Sequence, residues 1–233
     1  MEIDVLSLFP EYFRSPLETS ILKRAQERGL VQVRLANIRD WSVERFRKVD
    51  DRPYGGGPGM VMMADPLARC IRAHKKEGSR VVYLSPQGPT LTAKRARELA
   101  QIPHLILVCG HYEGIDQRVI ESDIDEELSI GDYVLTNGCL ASLVLLDAVM
   151  RFVPGVLGDE EASSFDSFET GLLDWSHYTR PEMYEGKKVP EVLLSGNHKE
   201  IQAWRTLDAK EKTKRIRPDL WAKYISGEKD EQK

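Results

Sequence analysis

The sequence predicts an α/β domain with a largely parallel sheet, followed by a smaller and mainly helical region. Short apolar runs alternate with stretches of helical periodicity, as in proteins whose parallel strands are joined through helices. Several of the apolar runs also end in loops that contain glycine. With 41% hydrophobic and 30% charged residues, the chain of 233 residues has the composition of a globular protein with a sizeable core.

The N-terminal half is predicted to contain strand, helix, strand, loop and helix. Residues 2–9 form an apolar run, a helical pattern then stops at Gly29, and 31–37 alternates as a strand does. The stretch 38–59 has no regular pattern and ends in a run of Gly and Pro, which is typical of a flexible loop over a binding site. Pro66 stands in the first turn of the next helix, where proline is tolerated.

The remaining strands are predicted from short apolar runs at 80–84, 104–108 and 124–128. Thr92 caps a helix that ends at Ala100, between the first two of these strands. Strands and helices therefore continue to alternate through this half of the domain.

The segment after these strands contains the greatest number of sequence features that indicate a binding site or a buried element. Gly131 interrupts an apolar run, as in a strand that passes close to a ligand, and 133–135 is predicted as a short strand. Asn137 and Gly138 form a turn pair that can supply backbone amides in unusual φ/ψ regions. Residues 139–150 form a helix that is apolar almost all round, which predicts a buried helix.

Three glycine-bearing loops follow strands, at Gly88, at Gly110 with Gly114, and at Gly138. In open α/β sheets, ligands bind outside the carboxyl ends of the strands, so these loops could converge on one small molecule. None has the spacing of a dinucleotide fingerprint and there is no Walker lysine motif. The expected ligand is a nucleoside-like molecule without a polyphosphate, although each loop alone would be read as an ordinary turn.

Arg151 is the only Lys or Arg between Arg118 and Arg180. At the end of an apolar helix it is either a structural clamp or a catalytic cation. Several acidic residues follow Gly158, and one of them could serve as a general base, but spacing alone does not select it. We expect a sheet domain over 1–158, a linker over 159–176 and a helical domain over 177–233.

The cysteines and the termini bear on the compartment. Cys70, Cys109 and Cys139 are far apart and lack metal-site spacing, which indicates reduced, buried thiols of a cytoplasmic protein and no metal site. No apolar run is long enough to span a membrane. The N-terminus lacks the basic region of a secretory signal.

The net charge of −4 argues against a nucleic-acid partner, but the charge is uneven. From Asp174 onward Lys and Arg outnumber Asp and Glu, and 210–217 is a dense basic run. On charge alone this run is a solvated helix face, and the sharper hypothesis is a surface that contacts phosphates.

Seven stretches together carry a resemblance: 50–60, 84–88, 112–116, 129–135, 151–158, 166–168 and 177–181. In this order they closely resemble the bacterial tRNA (guanine-N1)-methyltransferases of the SPOUT class. The resemblance covers essentially the whole chain. It implies transfer of a methyl group from S-adenosylmethionine to N1 of the guanosine immediately 3′ of a tRNA anticodon.

The resemblance also implies a particular fold and assembly. The α/β SPOUT domain would be tied in a deep trefoil knot in its C-terminal part, although true knots are rare exceptions. The enzyme would be an obligate homodimer with active sites built from both subunits, and tRNA would lie across them. Mg2+ is left open, because no ligand cluster stands out and RNA alone would explain a magnesium requirement.

Residue roles follow from the same resemblance. Asp166 would remove the proton from guanine N1, and Arg151 would stabilise negative charge at O6. The expected contacts to the target guanosine or to tRNA are Pro58, Gly59, His177 and Arg180. The expected cofactor-binding residues are Tyr83, Leu84, Ser85, Pro86, Gln87, Gly88, Gly110, Tyr112, Glu113, Ile130, Gly131, Tyr133, Leu135, Asn137 and Gly138.

The chain departs from the family pattern at His111, usually arginine, at Asn137, usually glycine, and at Cys139, usually glutamate. These departures keep open an RNA-binding protein of the same class that has lost catalysis. An NAD-dependent enzyme is disfavoured by the missing fingerprint. Which tRNA species are substrates, and whether the base before the target must be guanine, stays undecided by the sequence.

Overall fold

The computed structural model describes residues 1–158 and 165–227. The chain forms two compact units, Met1–Glu160 and Glu161–Lys233. The finer domain limits, with a linker over 159–176, stay a prediction. Asp159, Glu160 and Glu161, among the acids considered above as bases, lie outside the described residues.

The first unit contains a parallel five-stranded sheet, as the alternating pattern predicts. The strands of this unit are β1 (Glu2–Ser7), β2 (Gln32–Asn37), β3 (Asp50–Asp51), β4 (Val61–Met62), β5 (Ser79–Leu84), β6 (His104–Cys109) and β7 (Glu126–Leu128). The sheet has the strand order β2-β1-β6-β5-β7, and neighbouring strands are parallel throughout. A separate antiparallel pair joins β3, in the irregular stretch, to β4, just after it.

Helices cover both faces of this sheet. They are α1 (Arg14–Leu17), α2 (Ser20–Glu27), α3 (Ala64–His74), α4 (Ala93–Ala100), α5 (Gln117–Asp123) and α6 (Cys139–Met150). Ile3 and Val5 face a core formed with α2, α4 and α6, whereas Leu6 faces the second core, formed with α3 and α5. Every residue of β6 is buried, as expected for a central strand with helices on both sides.

The first helical pattern is divided into two helices. Ser20 has a φ of 51°, which breaks the regular backbone between α1 and α2. Gly29 ends the pattern as predicted: its φ is 67°, and the following Leu30 N–H donates to the Ala25 carbonyl at 3.0 Å.

Two predictions for the segment after β7 are wrong. Residues 133–135 form no strand, because Gly131 has a φ of 147° and the Tyr133 N–H turns back to the Gly131 carbonyl at 2.9 Å. Helix α6 is not buried all round, since Leu140 is 49% and Val144 48% exposed.

Polar residues at the amino-terminal ends of the strands form a connected network. The buried Asp4 accepts from Arg34 Nε at 2.6 Å and lies 3.2 Å from His104 Nε2. The other ring nitrogen of His104 lies 2.7 Å from the Ser79 hydroxyl. Glu2 in turn pairs with Arg34 at 2.7 Å and with Lys76, in the loop before β5. The network ties four neighbouring strands together at one edge of the sheet.

The second unit contains a short hairpin and three helices in its described part. Thr213 of α8 is fully buried, accepts the Leu173 N–H at 2.9 Å and donates to the Ala209 carbonyl at 2.6 Å. The elements are β8 (Met183–Tyr184), β9 (Lys187–Lys188), α7 (Glu191–Leu194), α8 (His198–Ile216) and α9 (Pro218–Ser226).

Across residues 1–158 and 165–227, no helix combines the length and the apolar character that crossing a membrane requires. Nor do those residues contain a group of three His, Cys, Asp or Glu side chains that could hold a metal ion. The three cysteines are buried and unbridged, as their spacing predicts.

Candidate active site

The loops after β5, β6 and β7 meet at the carboxyl-terminal edge of the sheet and enclose a cavity of about 270 Å³. This is where open α/β sheets bind ligands. Of the residues expected to hold a cofactor, all except Gly88 and Gly131 line it. The lining residues are Tyr83, Leu84, Ser85, Pro86, Gln87, Gly110, His111, Tyr112, Glu113, Gly114, Ile115, Gln117, Ile120, Leu128, Ser129, Ile130, Tyr133, Val134, Leu135, Thr136, Asn137, Gly138 and Ala141.

Steric contact, rather than backbone conformation, explains Gly88, Gly110 and Gly138 in these loops. A Cβ on Gly138 would lie 2.9 Å from the Gly110 nitrogen, and the Gly138 φ of −78° is open to any residue. The unusual φ/ψ predicted for this turn is therefore wrong. A Cβ on Gly88 would lie 2.6 Å from the carbonyl carbon of Glu127. These glycines let the three loops approach one another closely.

The turn before α6 is held together by its own polar groups. The Gly138 N–H donates to the Gly110 carbonyl at 2.8 Å, joining this turn to the loop after β6. The Asn137 side chain accepts the Cys139 N–H at 2.9 Å and so satisfies one of the free amides at the start of the helix. The departures at Asn137 and Cys139 thus leave an ordered turn in place.

Tyr83 forms one wall of the cavity. Its ring lies 2.8 Å from where a Cβ of Gly110 would be, so only glycine fits opposite it. Burial, followed by the negative charge of Glu127, raises the pKa of Tyr83 to about 12. The phenol is therefore neutral at physiological pH and can act as a hydrogen-bond donor.

Two polar atoms near the cavity have no partner among the described residues, and sequence reasoning assigned neither a role. They are the buried His111 Nδ1, which lies in the cavity wall, and the buried Glu127 Oε2, beside Tyr83. Burial, and then the charge of Arg39, lowers the pKa of His111, so its ring is neutral and can donate or accept. An unpaired ring nitrogen in the cavity wall suits a ligand that carries hydroxyl, amino or ring-nitrogen groups. The only feature of the sequence that could have indicated Glu127 is that it is one of several adjacent charged residues near the end of a strand.

The Gly-rich loop is fixed to the loop after β6. The Glu113 N–H donates to the Met60 carbonyl at 2.9 Å, and the Tyr112 hydroxyl donates to Asp50 at 3.2 Å. Gly59 has a φ of 80°, and a Cβ there would lie 2.3 Å from Glu113 Oε1. Gly59, and with it Pro58, therefore stands beside a cavity residue.

The remaining predicted residues belong to different units. Arg151 follows the last turn of α6 in the first unit, whereas Asp166, His177 and Arg180 belong to the second. His177 Nε2 lies 2.7 Å from Asp174. His177 and Arg180 line a cavity of about 370 Å³ in the second unit.

Trp175 forms part of that same cavity and carries the Arg205 guanidinium over its ring, 4.7 Å from the centroid. Arg205 Nε is buried and has no partner among the described residues. Aromatic rings with adjacent cations are features that RNA-binding surfaces use to stack bases.

A larger, more open cleft of about 1110 Å³ lies along α3 and α5. Three of its four arginines are already paired with carboxylates: Arg69 with Asp65, Arg72 with Asp123, and Arg118 with Asp116. We take the cavity of about 270 Å³ as the site, because the unpaired His111 Nδ1 belongs to its wall and because it lies at the carboxyl ends of the strands.

The basic run lies on the last part of α8, where cations also favour the helix dipole. Lys212 donates to the Asp174 carbonyl at 2.8 Å, and Lys210 lies over the Tyr224 ring at 5.7 Å. Part of the run therefore stabilises the second unit.

Comparison with known proteins identifies the family. The model of the tRNA (guanine-1)-methyltransferase TrmD family matches residues 1–223. The chain is 63% identical over 222 residues to the tRNA (guanine-N(1)-)-methyltransferase of Protochlamydia amoebophila (strain UWE25), covering 95% of this chain and 100% of that protein.

Proteins of the same name from two Chlamydia species are also similar. The identity is 57% over 225 residues for Chlamydia pneumoniae, covering 97% of this chain and 62% of that protein. It is 55% over 229 residues for Chlamydia muridarum (strain MoPn / Nigg), covering 98% and 65%. With a family model matching nearly its whole length, the chain belongs to the tRNA (guanine-1)-methyltransferase family.

Proposed function

We propose that this chain transfers a methyl group from S-adenosylmethionine to N1 of the guanosine immediately 3′ of a tRNA anticodon. As a member of its family it is a tRNA (guanine-N1)-methyltransferase. The observation that carries the finer proposal is the meeting of three strand-end loops around one cavity. The reaction would take place in the cytoplasm, where the substrate tRNA is.

The cavity suits S-adenosylmethionine. Strand-end loops that hold a ligand largely by backbone groups need glycines, and Gly110 and Gly138 leave no room for side chains. The neutral His111 ring and the Tyr83 phenol offer polar contacts, and Ile130 and Leu135 offer apolar ones. When bound, S-adenosylmethionine supplies a methyl group on a positively charged sulfur, so the protein has only to position it and exclude water.

The nucleophile must be prepared by the protein. Guanine N1 carries a proton and is a poor nucleophile until that proton leaves. We assign its removal to the carboxylate of Asp166. Negative charge then develops on guanine, chiefly at O6, and we assign its stabilisation to the guanidinium of Arg151. Mg2+ is not assigned a step.

We propose that tRNA contacts both units. Pro58 and Gly59 would contact the target guanosine, because they stand beside the cavity residue Glu113. His177 and Arg180 would contact tRNA from the second unit, and the basic end of α8 would contact its phosphates.

A homodimer is supported by the exposed face of α6. Leu140 and Val144 are about half exposed on an otherwise apolar helix, and Val134 in the preceding loop is 81% exposed. Exposed apolar patches mark interaction sites, and we propose that a second copy covers this one. Replacing Val144 with Glu should convert the dimer to monomer in analytical ultracentrifugation, and an unchanged dimer would remove α6 from the interface.

We also propose the knot that the resemblance implies. After β7, the Leu91 N–H donates to the Ser129 carbonyl at 2.8 Å, while Gly138 bonds to the loop after β6. The chain between Ser129 and Gly138 thus passes from the loop after β5 to the loop after β6 before α6 begins, which supports a threaded path. An experimental structure of the chain tests the threading directly.

The degenerate RNA-binding alternative requires a broken cavity. The departures leave an ordered turn, because Asn137 bonds the Cys139 amide and His111 lies in the cavity wall. We therefore favour an active enzyme. Calorimetry with S-adenosylmethionine separates the two, since a degenerate pocket should give no saturable heat.

The first experiment is transfer of radiolabelled methyl from S-adenosylmethionine to an unmodified tRNA transcript. A matched transcript has adenosine in place of the guanosine 3′ of the anticodon. Label on the first transcript alone supports the reaction, donor and target together. Label on neither, despite cofactor binding, contradicts the proposed target.

A variant tests the base. Asp166→Ala should bind S-adenosylmethionine normally but lose about 10²–10⁴-fold in methyl transfer, as expected when a general base is removed. Asp166→Asn should lose as much, because it keeps the shape without the basicity, while the neighbouring Glu169→Gln should retain activity. Near-normal turnover of Asp166→Ala would remove Asp166 from the mechanism.

A further inference from the structure

Two of the cysteines stand where the cavity loops join the core. Cys109 is the last residue of β6 and Cys139 the first of α6, next to the cavity residues Gly110 and Gly138. A Cβ on Gly138 would lie 3.0 Å from the Cα of Cys109, so the two stretches of backbone are in direct contact. Each cysteine side chain also affects the ionisation of the other, so the two thiols are neighbours.

Two serines complete this group. The Ser7 hydroxyl lies 3.2 Å from Cys139 Sγ, and the Ser142 hydroxyl lies 3.1 Å from Cys109 Sγ. None of the four side chains is more than 2% exposed. The hydroxyls can donate to a thiolate, so a charged sulfur is tolerated here although it is buried.

The two thiols are not equivalent. Hydrogen bonding from Cys109, aided by Ser7, lowers the pKa of Cys139 against the opposing effects of burial and the charge of Glu11. The position at the N-terminus of a 12-residue helix favours a thiolate in the same direction. Burial raises the pKa of Cys109. One sulfur is thus suited to attack and its neighbour to resolve.

We propose that Cys109 and Cys139 form a reversible intramolecular disulfide on reaction with a small-molecule disulfide or hydrogen peroxide, and that this disulfide disables the cofactor cavity. The first half depends only on the thiol geometry. The second half rests on the proposed binding of S-adenosylmethionine.

The chemistry balances with either oxidant. The Cys139 thiolate attacks one sulfur of a small disulfide, forming a mixed disulfide and releasing one thiolate. Cys109 then loses its proton and attacks the Cys139 sulfur, releasing the second thiolate, so two protein thiols are oxidised and one disulfide is reduced. With peroxide, Cys139 becomes a sulfenic acid with loss of hydroxide, and Cys109 displaces water. Because both thiols are buried, the reagent reaches them only when the adjacent cavity residues Gly110 and Gly138 move aside.

The bond would change the cavity because both loops are short and tied together. A disulfide fixes its sulfurs about 2.05 Å apart, closer than two unbonded sulfur atoms can approach. Closure therefore pulls the start of α6 toward the end of β6, between which the Gly138–Gly110 bond of 2.8 Å lies. Any loss of cofactor affinity must be matched by an equal stabilisation of the dithiol form when cofactor is bound.

Peptide mapping tests the first half without any variant. Trypsin should separate the two cysteines, because Arg118 lies between them: Cys109 falls in 98–118 and Cys139 in 119–151. After treatment of the full chain with oxidised glutathione, we expect these two peptides linked and released by dithiothreitol. Absence of the linked pair under conditions that oxidise accessible thiols, or a link to Cys70 in 70–72, would overturn the proposal.

Matched variants sharpen the assignment. Cys139→Ser and Cys109→Ser should each abolish the linked pair, whereas Cys70→Ala should oxidise as the parent does. Cys109→Ser should still form a mixed disulfide at Cys139, because the attacking thiol remains. A mixed disulfide that forms faster at Cys109 would contradict the proposed order.

Cofactor binding tests the second half. In calorimetry, the oxidised protein should bind S-adenosylmethionine on the order of tenfold more weakly than the reduced protein, within the usual range of coupling between sites. Saturating cofactor should shift the glutathione redox equilibrium toward dithiol by the same factor. Equal affinities would overturn the effect on the cavity. Failure of even the reduced protein to bind would instead count against the proposed function.

Discussion

The two edges of the central sheet are both polar, but they use their polar groups differently. At the amino-terminal edge, Asp4, Arg34, His104 and Ser79 satisfy one another through bonds of 2.6–3.2 Å. At the carboxyl-terminal edge, the buried His111 Nδ1 and the nearby Glu127 Oε2 have no partner among the described residues. Unsatisfied buried groups cost stability, so the difference indicates that the network of Asp4 is satisfied within itself, whereas the region around His111 is suited to a ligand.

Breaking the amino-terminal edge should produce the largest change in stability. Asp4→Ala leaves the buried His104 ring and the Arg34 guanidinium without their shared carboxylate. We expect a loss of about 3 kcal/mol in the free energy of unfolding, seen as a thermal midpoint lower by about 6–12 °C. S-adenosylmethionine affinity of the folded protein should be unchanged.

Asp4→Asn is the matched control, since it keeps an acceptor for Arg34 and should lose less. A large change in cofactor affinity with either variant would contradict the separation between the two edges.

Adding one carbon to the carboxyl-terminal edge should have the next largest effect. In Gly88→Ala the new Cβ would meet the Glu127 backbone at 2.6 Å, so the loop after β5 must move away from β7. Overpacking of this kind costs about 1–3 kcal/mol, and here we expect it chiefly in cofactor affinity measured by calorimetry.

Gly158→Ala is the control, because nothing lies within 4 Å of a Cβ there. Parent-like affinity in Gly88→Ala would show that the close approach of these loops is dispensable.

Alkaline pH should reveal a smaller effect on stability, which arises from Tyr83 at the carboxyl-terminal edge. The pKa of Tyr83 is raised to about 12 in the folded chain, by burial and then by Glu127. Since an unfolded tyrosine ionises near pH 10, the stabilisation is complete below that pH and is lost as the pH rises through the folded pKa. Tyr83→Phe should therefore lose less stability than the parent between pH 10 and 12, by up to about 2 kcal/mol in denaturant titrations. Parallel pH curves for the two proteins would refute this.

The smallest effect is expected at the rim of the amino-terminal network. Lys76→Met removes a contact to Glu2 from an exposed lysine, and Arg34 remains bonded to Glu2 at 2.7 Å. Exposed ion pairs contribute little and are screened by salt. We expect a thermal midpoint indistinguishable from that of the parent. A clear drop would show that the exposed contact of Lys76 also contributes to the stability of the network.

Sequence reasoning succeeded where the signal was local. Apolar runs located β5 and β6, and Gly29 ended its helix with the backbone conformation that makes glycine favourable there. It failed at 133–135, where the apolar residues lie in a loop and line the cavity. Periodicity does not distinguish apolar residues of a cavity wall from apolar residues of a sheet.

Long-range partners were also invisible to it. Asp4 and His104 are 100 positions apart, and only strand order brings them together. The unpaired state of Glu127 depends on which neighbours fail to reach it, which no spacing rule expresses. For the same reason the exposed side of α6 could not be distinguished from its buried side, since its residues are apolar all round.

The position of β1 within the sheet has a consequence for how the chain folds as it leaves the ribosome. β1 lies between β2 and β6, so Glu2 pairs both with Gln32 and with His104. β1 can pair with β2 soon after both are synthesised, but its other edge waits for β6, which emerges much later. Parallel pairing over such separations is slow and leaves strand edges open to other chains. The edge of β1 that pairs with β6 is therefore open to pairing with other chains during synthesis until residue 109 has emerged.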